Sequence, residues 1–392
     1  MPAMITFFPV GCGDMTLVEL ADADRTKILI DINIRQGEDC RDVAKDLRGL
    51  LEKDGKGRPF VHAFLMTHPD SDHIRGLETH FHLGAPADYP DDEKPEGEKR
   101  IFMREIWSSP LVYRRASAEH PLCSDAKAFN CEAKRRVQVN RDKKFVGVEE
   151  GDRILIMGAD ENGKTDDLSS ILVKVDQTFT QVNKVNKAGY FTARLLAPLP
   201  KQATEDEEEK LRKNHSSVIL NMQVGADAKT PDGCKFMVGG DAEVLIWQRL
   251  WGKHKNSKSV LEYDLLLAPH HCSWHSLSED SWSKLREKAK VDPDARAALS
   301  VTRQGAVVVA SSKPIKDDDK DPPCIRAKRE YEAIVKDVNG AFHCVGEIPN
   351  EKNPEPLTFN VTGEGVQIAA KQDAPRRVAA VAASTTVPRG HG

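Results

Sequence analysis

The 392-residue sequence has no apolar run near the roughly 20 residues that a membrane-spanning helix needs. Its first residues have no basic segment and too short an apolar run for a secretory signal peptide. The eight cysteines include no Cys-x-x-Cys pair, which favours reduced, mostly buried thiols over a disulfide framework. The net charge is only −4, so nucleic-acid binding would need a local basic patch. These absences predict a cytoplasmic protein that does not act on a membrane.

The densest group of metal-ligand side chains follows the apolar run 61–66, which is typical of a buried strand. His68, Asp70 and Asp72 alternate where this strand would end, so their side chains can converge, and a turn at His73 would add a fourth. Carboxylates and imidazoles packed in this way would repel or stay unpaired without a cation. The spacing therefore predicts a metal site, against the alternative of a solvated loop with a capping aspartate.

Further polar groups lie next to other apolar, strand-like runs. Asp14 ends a glycine-rich turn, Val10-Gly11-Cys12-Gly13-Asp14. From this position its carboxylate could accept a hydrogen bond that a group in the metal loop donates. Ser311, Ser312 and Lys313 follow an apolar run, and their hydroxyls and ammonium could hold a phosphate, although a simple polar turn is an equal alternative. The remaining groups are Asn214 and His215, Asp241, and the pair His270 and His271.

Residues 114–144 have a helical pattern with a basic cluster that includes Arg135 and Arg136. A solvated helix face would explain the cluster without any function. The sharper hypothesis is a track for the phosphate backbone of a nucleic acid, in which Arg135 and Arg136 bind substrate.

The order of these motifs resembles the metallo-β-lactamase superfamily, and more narrowly the soluble hydrolase domain of ComEC-type DNA-uptake proteins. The motifs are His-x-Asp-x-Asp-His, then Gly240-Asp241, then Pro269-His270-His271. The glycine-rich turn that ends at Asp14, the Asn-x-x-Ser segment at 214–217 and the Ser-Ser pair at 311 match the narrower group as well. Two features depart from it: Cys272 replaces a glycine, and the membrane-spanning competence segments are absent, so DNA transport does not carry over.

The resemblance implies an α/β fold, specifically an αββα metallo-β-lactamase-like sandwich. One hydrolase domain would cover residues 1–370, with surface insertions near 84–100 and 200–213. An Ala-rich tail at 371–392 is expected to be disordered.

The resemblance also implies two divalent metal ions. It assigns His68 and Asp70 to the first metal, Asp72, His73 and His270 to the second, and Asp241 to both. The superfamily's mid-chain histidine falls at Asn214 or His215, and its spacing to Ser217 favours Asn214 as a ligand. His271 remains as a neighbour of the metals or a proton donor. Asp70 stands where zinc enzymes have histidine, which favours manganese over zinc, with magnesium a weaker candidate.

The implied chemistry is hydrolysis by a hydroxide that bridges two cations roughly 3.5–4 Å apart. Asp72 would orient the hydroxide, and a protonated His271 would protonate the leaving oxygen. The favoured function is a phosphodiesterase or nuclease acting on nucleic acid or another phosphodiester. The alternatives are hydrolysis of a small lactone or thioester, and a subunit of a larger assembly, such as a defence module with a protein partner.

Overall fold

The computed structural model describes residues 1–37, 40–115 and 121–370, and within them nineteen strands combine with eleven α-helices. The strands in chain order are β1 (Met4–Phe7), β2 (Thr16–Glu19), β3 (Lys27–Ile30), β4 (Ile32–Asn33), β5 (Phe60–Leu65), β6 (Phe102–Ser108), β7 (Arg153–Met157), β8 (Leu172–Val173), β9 (Thr178–Phe179), β10 (Gln181–Val182), β11 (Val185–Asn186), β12 (Phe191–Ala197), β13 (Ile219–Val224), β14 (Cys234–Val238), β15 (Tyr263–Leu267), β16 (Thr302–Ala310), β17 (Ala341–Cys344), β18 (Leu357–Thr362) and β19 (Gly365–Ile368). The helices are α1 (Val43–Leu50), α2 (Ser71–Ile74), α3 (Leu77–His80), α4 (Leu111–Arg114), α5 (Ser124–Asp142), α6 (Glu205–Glu209), α7 (Val244–His254), α8 (Pro269–Cys272), α9 (Trp282–Leu285), α10 (Pro293–Leu299) and α11 (Ile325–Lys336).

Most strands belong to two large mixed sheets. The first has the order β19-β18-β1-β2-β3-β5-β6-β7-β8, antiparallel as far as β3 and parallel beyond it. The second has the order β17-β16-β15-β14-β13-β12-β9, parallel from β17 to β14 and antiparallel from there on. Strands β10 and β11 form a separate hairpin. The predicted α/β class is therefore confirmed, while its assignment to the metallo-β-lactamase sandwich stays a prediction.

The two sheets pack face to face. Successive side chains of a strand point to opposite faces, so the contacts of neighbouring residues show which face of each sheet is the inner one. In β14, Phe236 meets Phe7 of the first sheet, with ring centroids 5.8 Å apart, whereas Met237 packs in the core that contains Trp247 of α7. In the first sheet, Trp107 faces Phe191 of the second, at 6.2 Å. Helices α7, α10 and α11 contribute to the core on the outer face of the second sheet.

The first sheet also carries helices on its outer face. Phe64 of β5 points away from the second sheet and packs against Phe129 of α5, with ring centroids 5.6 Å apart. Helix α1 begins at a cap in which Asp42 accepts the N–H of Lys45 at 3.0 Å, and it buries Val43 and other apolar residues. No helix in the described part of the chain is both long and apolar enough to cross a bilayer.

Most segments that carry the predicted ligands lie at the carboxyl ends of parallel strands, where open α/β sheets commonly bind ligands. The metal loop follows β5, Asp241 follows β14, and His270 follows β15. The N–H of Val218 donates to the carbonyl of Thr67 at 2.9 Å, which joins the two sheets at this edge.

The predicted insertions are both attached to the body of the protein. In the 84–100 segment, the N–H of Gly84 donates to Glu132 Oε2 of α5 at 3.0 Å. In the 200–213 segment, Glu208 pairs with Arg115 at 2.7 Å. The predicted tail at 371–392 lies outside the described residues, as do residues 116–120 of the predicted helix 114–144, and the domain boundary at residue 370 stays a prediction.

Candidate metal centre

The loop after β5 is fixed by a buried aspartate at the end of β3. Asp31 accepts hydrogen bonds from the backbone N–H of Thr67 at 2.7 Å and from its hydroxyl at 2.5 Å. It adopts a φ of 52°, which aspartate tolerates better than most residues. The short helix α2 then turns His73 inward, so that His68 and His73 are both fully buried, with ring centroids 3.9 Å apart.

Two buried histidines each use Nδ1 to bind a carboxylate. His73 Nδ1 lies 2.8 Å from Asp31 Oδ2, and His271 Nδ1 lies 3.2 Å from Asp14 Oδ1. A neutral imidazole that donates from Nδ1 presents a lone pair at Nε2. Asp31 and Asp14 therefore turn the Nε2 lone pairs of both rings towards the interior of the cluster.

These two nitrogen atoms meet each other and a third electron-rich atom. His73 Nε2 lies 3.1 Å from His271 Nε2 and 3.0 Å from Asp241 Oδ1. His271 Nε2 is also 3.4 Å from Asp241 Oδ1 and 3.5 Å from Asp72 Oδ2. Atoms that all accept hydrogen bonds cannot satisfy one another, so this group needs a proton or a metal cation at its centre.

A second group gathers around the other oxygen of the same carboxylate. His68 Nε2 lies 3.3 Å from Asp241 Oδ2 and 3.8 Å from Asp70 Oδ2. His270 Nε2 lies 3.5 Å from Asp241 Oδ2. Among the described residues, His68 Nε2 is a buried atom with no hydrogen-bond partner. Asp241 thus offers one oxygen to each group, and the donor types and buried, unpaired atoms fit divalent metal ions.

Combinations of three residues in this cluster could each hold a cation. The ligand atoms of Asp14, His73 and His271 lie within 4.8 Å of one another, as do those of His68, His73 and Asp241. Asp14 and Asp31 both lie beside His73. Near the rings there are therefore more carboxylates than fixed positive charges.

The titration of the cluster reflects this excess of negative charge. Burial would lower the pKa of His73, but the carboxylates of Asp241 and Asp31 raise it well above its usual value. Burial would raise the pKa of Asp241, but the surrounding histidines lower it well below its usual value. Protons on the imidazoles therefore balance the carboxylates where no metal does so, and metal binding would release them.

Asp241 reaches the cluster through a close approach of two backbones. Gly240 has a φ of 47°, and a Cβ built on it would lie only 2.7 Å from Thr67 Oγ1. The N–H of Asp241 donates to Ser217 Oγ at 3.2 Å. A side chain at residue 240 would push the Asp241 loop away from the metal loop, so glycine is required here.

The placement of His270 and His271 differs from the predicted roles. His271, not His270, lies beside Asp72 and His73, and it is buried, whereas His270 is on the side of His68. The backbone here is left-handed, with φ of 52° at His270, 51° at His271 and 69° at Cys272, so the regular alternation of side chains along a strand does not apply to this pair. A buried His271 in this position is poorly placed to donate a proton to a leaving group.

Asn214 is not brought to the histidine cluster by its described contacts. Its amide donates to Glu243 Oε1 at 2.9 Å, and His215 Nε2 lies 3.3 Å from Glu243 Oε2. The neighbouring Lys213 instead reaches the centre, with its Nζ 2.6 Å from Asp70 Oδ2. A fixed ammonium therefore balances one carboxylate of the second group.

Both predicted substrate-binding hydroxyls, those of Ser311 and Ser312, donate hydrogen bonds to backbone carbonyls within the protein. Ser311 Oγ donates to the carbonyl of Gly13 at 2.6 Å, and Ser312 Oγ donates to the carbonyl of Lys313 at 3.0 Å. Both serines are buried, so Ser311 holds the turn that carries Asp14 rather than a phosphate. The side chain of Lys313 remains available at the edge of a cavity beside this turn.

The predicted phosphate track at Arg135 and Arg136 is contradicted by the packing of α5. Arg136 is 1% exposed and donates to Glu132 and to two backbone carbonyls. Arg135 is committed to Glu132 at 2.7 Å and to Asp152 at 2.6 Å. Both guanidinium groups fasten the helix to the sheet, so neither is free to follow a nucleic acid.

Sequence reasoning missed three residues of the site: Asp31, Lys213 and Glu243. Asp31 offered a signal, because an aspartate that ends an apolar strand often has a positioning role at a strand-end site. Lys213 offered none, since it stands in a segment rich in exposed charges. Glu243 stands in a mostly apolar segment directly before α7, where an acidic residue is usual at the start of a helix.

Comparisons with known proteins do not assign a family. No family model matches the chain, and no curated protein matches it. Among solved structures, unliganded yeast PDE1 is similar over 88% of this chain and 98% of that chain, with 13% identity and a TM-score of 0.40. A protein of unknown function from Enterococcus faecalis V583 is similar over 88% of this chain and 77% of that chain, with 12% identity and a TM-score of 0.31. These values are low, so the function has to be inferred from the geometry of the chain itself.

Proposed function

We propose that the protein is a metal-dependent hydrolase of the metallo-β-lactamase type that cleaves phosphodiesters. One observation carries this proposal: His73 Nε2, His271 Nε2 and Asp241 Oδ1 converge within 3.0 to 3.4 Å of one another in a buried site. A purely structural cluster would pair each acceptor with a donor, as buried polar groups usually are.

The residues fall into two sets around Asp241. His73, His271 and Asp72 would hold one ion with Asp241 Oδ1, and His68 and Asp70 would hold a second with Asp241 Oδ2. When bound, such ions supply an acidified water as nucleophile and polarise the phosphoryl oxygen. This mixture of imidazole and carboxylate ligands suits manganese or zinc, with magnesium a weaker candidate.

Other residues of the chain position these groups and handle protons. Asp31 and Asp14 fix the orientation of the two imidazoles and raise their basicity. Burial would raise the pKa of Asp72, but His271 and His73 lower it, so Asp72 is ionised and can accept a hydrogen bond from the attacking water. Its side chain is 33% exposed, so substrate can reach it. His270 is more exposed than His271, and it is the histidine that can protonate the leaving oxygen.

A phosphodiester suits the site better than a carbonyl substrate. The ammonium of Lys213, 2.6 Å from Asp70 and 23% exposed, lies where it can pair with a non-bridging phosphate oxygen. A lactone or thioester carries no such charge. The phosphodiester could belong to a nucleic acid or to a small nucleotide.

The experiment is to strip the protein with a chelator and restore manganese, zinc or magnesium in turn. Hydrolysis is measured on bis(p-nitrophenyl) phosphate, single- and double-stranded DNA, RNA, and an acyl ester. Asp241→Asn is compared with Asp264→Asn, a buried aspartate that pairs with Arg303 away from the cluster. We expect metal-dependent phosphodiester cleavage that is lost only in Asp241→Asn. Cleavage of the ester alone, or equal activity in both variants, would refute the proposal.

A further inference from the structure

A cavity of about 810 Å³ lies next to the turn that carries Asp14. Gly11 forms part of its wall on one side, and Ser312 and Lys313 form another part. Its charged lining residues are Arg35, Arg41, Lys313, Lys352 and a single acidic residue, Glu351, among those that the structure describes.

Counting only residues that the structure describes, most of the positively charged groups around this cavity have no ion-pair partner. Arg41 is paired with Asp46. Arg35, by contrast, has a buried Nε without a hydrogen-bond partner in the described part of the chain. Within residues 1–37, 40–115 and 121–370, the ammonium groups of Lys313 and Lys352 also form no ion pair. A guanidinium and two ammonium groups around one cavity are suited to bind a multiply charged anion.

The cavity and the histidine cluster share the same turn. The Arg35 guanidinium lies against Gly11, where a built Cβ would be 2.8 Å from Nη2, so a side chain there would displace it. Gly13 is fixed by Ser311 at 2.6 Å, and Asp14 contacts His271 at 3.2 Å. Asp14 is only three positions after Gly11, so their Cα atoms are at most about 11 Å apart.

We propose that this cavity is a binding site for a second phosphate of the substrate, recognised by Arg35 and Lys313. The planar guanidinium can donate two parallel hydrogen bonds to a phosphate, and the lysine adds a point charge. The assignment of the second phosphate to the substrate rests on the proposed function, with the scissile phosphate at the histidine cluster. The expected substrates therefore carry at least two phosphates, one bound at the histidine cluster and one at the cavity, on either side of the turn from Gly11 to Asp14.

Two sources of such a second phosphate exist. A nucleic-acid strand carries one phosphate charge per nucleotide, about every 3.4 Å along the axis of a duplex, so a neighbouring nucleotide can supply the second phosphate. A small nucleotide with a pyrophosphate can do the same. Both have the same recognition chemistry, which the variants at Arg35 and Lys313 can test together.

The direct test is calorimetric binding of pyrophosphate to the full-length, metal-stripped protein, which does not depend on catalysis. We expect Arg35→Ala and Lys313→Ala each to weaken binding about tenfold or more, as for the loss of a charge-assisted hydrogen bond. Arg35→Lys should restore part of the affinity. Lys320→Ala, at a lysine whose side chain is 80% exposed, is the matched control and should bind like the wild type. Absent binding, or equal affinity in all variants, would overturn the proposal.

A second measurement separates the two sources and the two proposals. We expect the ratio of kcat/KM for a multiply phosphorylated substrate to that for bis(p-nitrophenyl) phosphate to fall about tenfold in Arg35→Ala. A fall with a short oligonucleotide supports a nucleic-acid strand, and a fall with a dinucleoside polyphosphate supports a small nucleotide. An unchanged ratio with both would refute the role in substrate binding. Pyrophosphate binding without any hydrolysis would instead refute the proposed function and leave the anion site standing.

Discussion

Replacing Asp31 by asparagine tests how the protein positions His73. Asp31 accepts three hydrogen bonds: two from Thr67, at 2.7 and 2.5 Å, and one from His73 Nδ1 at 2.8 Å. Asparagine keeps one carbonyl oxygen and exchanges the other for an NH₂ group, which cannot accept. If Thr67 keeps the oxygen, His73 Nδ1 loses its acceptor, and the ring is free to carry its proton on Nε2, where it blocks a metal.

The expected magnitude follows from this loss of orientation. Removing a hydrogen-bond partner behind a metal-binding histidine commonly weakens metal binding 10- to 100-fold, which is about 1.4 to 2.7 kcal/mol. The assay is a competition titration of the metal-stripped protein against a fluorescent chelator, with manganese and with zinc.

Asp22→Asn is a closely matched control. Asp22 accepts from the Thr26 N–H at 2.8 Å and the Thr26 hydroxyl at 2.7 Å, the same pair of bonds that Asp31 makes with Thr67. Its third partner is Lys187 instead of a histidine. We expect both variants to lose stability and only Asp31→Asn to lose metal affinity. A loss well below tenfold in Asp31→Asn, or the same loss in both variants, would refute the reasoning.

Three further predictions concern pH, charge balance and packing. Burial lowers the pKa of His62 to about 4, below the value near 6.5 expected when unfolded. Above pH 6.5, His62 is neutral in both states and the stability that it contributes is fully present. As the pH falls from 6.5 towards 4, only the unfolded chain binds a proton at His62, so the free energy of unfolding falls by at most about 1.4 kcal/mol per pH unit, which urea unfolding measures. Lys213→Met frees Asp70 from its ammonium, so calorimetry should show a second metal ion bound about tenfold more tightly or better. Arg136→Ala removes a buried partner of Glu132 and should lower the free energy of unfolding by about 3 kcal/mol or more.

Each of these predictions has its own control. His62→Gln should abolish the extra slope between pH 4 and 6.5, and a slope that survives in this variant would come from other groups. Unchanged metal binding in Lys213→Met would show that its ammonium does not compete for the carboxylate. Arg141→Ala removes an exposed pair and should cost about 1 kcal/mol or less, so equal losses at Arg141 and Arg136 would contradict the buried role of Arg136.

The strands of the fold were largely predictable because buried strands of parallel sheets form nearly continuous apolar runs. The predicted run at 61–66 corresponds to Phe60–Leu65 in the structure. The helix predicted at 114–144 is shorter in the described residues, at Ser124–Asp142. Which sheet each strand joins depends on contacts between distant segments, which the local pattern does not contain.

The face of a helix that becomes buried was harder to predict than the helix itself. Arg136 belongs to a basic cluster, and such clusters usually face solvent. It is instead buried beside Glu132, four residues earlier. That i, i+4 spacing was visible in the sequence, but only the packing of α5 on the sheet decides whether the pair lies in water or in the interior.

The site was predictable in composition and not in geometry. The chain pattern singled out His68, His73 and Asp241, and the structure brings these side chains together. The hydrogen bond from His73 to Asp31 joins residues 42 positions apart. The order of His270 and His271 depends on positive φ values at both residues, which non-glycine residues rarely adopt and no local signal announces.

The most direct test of the central claim is an anomalous-difference map from crystals soaked in manganese chloride. A cation held by the cluster predicts a peak between His73 Nε2, His271 Nε2 and Asp241 Oδ1, at coordination distance from all three atoms. A map without a peak there, or with manganese bound only elsewhere on the protein, would contradict the claim.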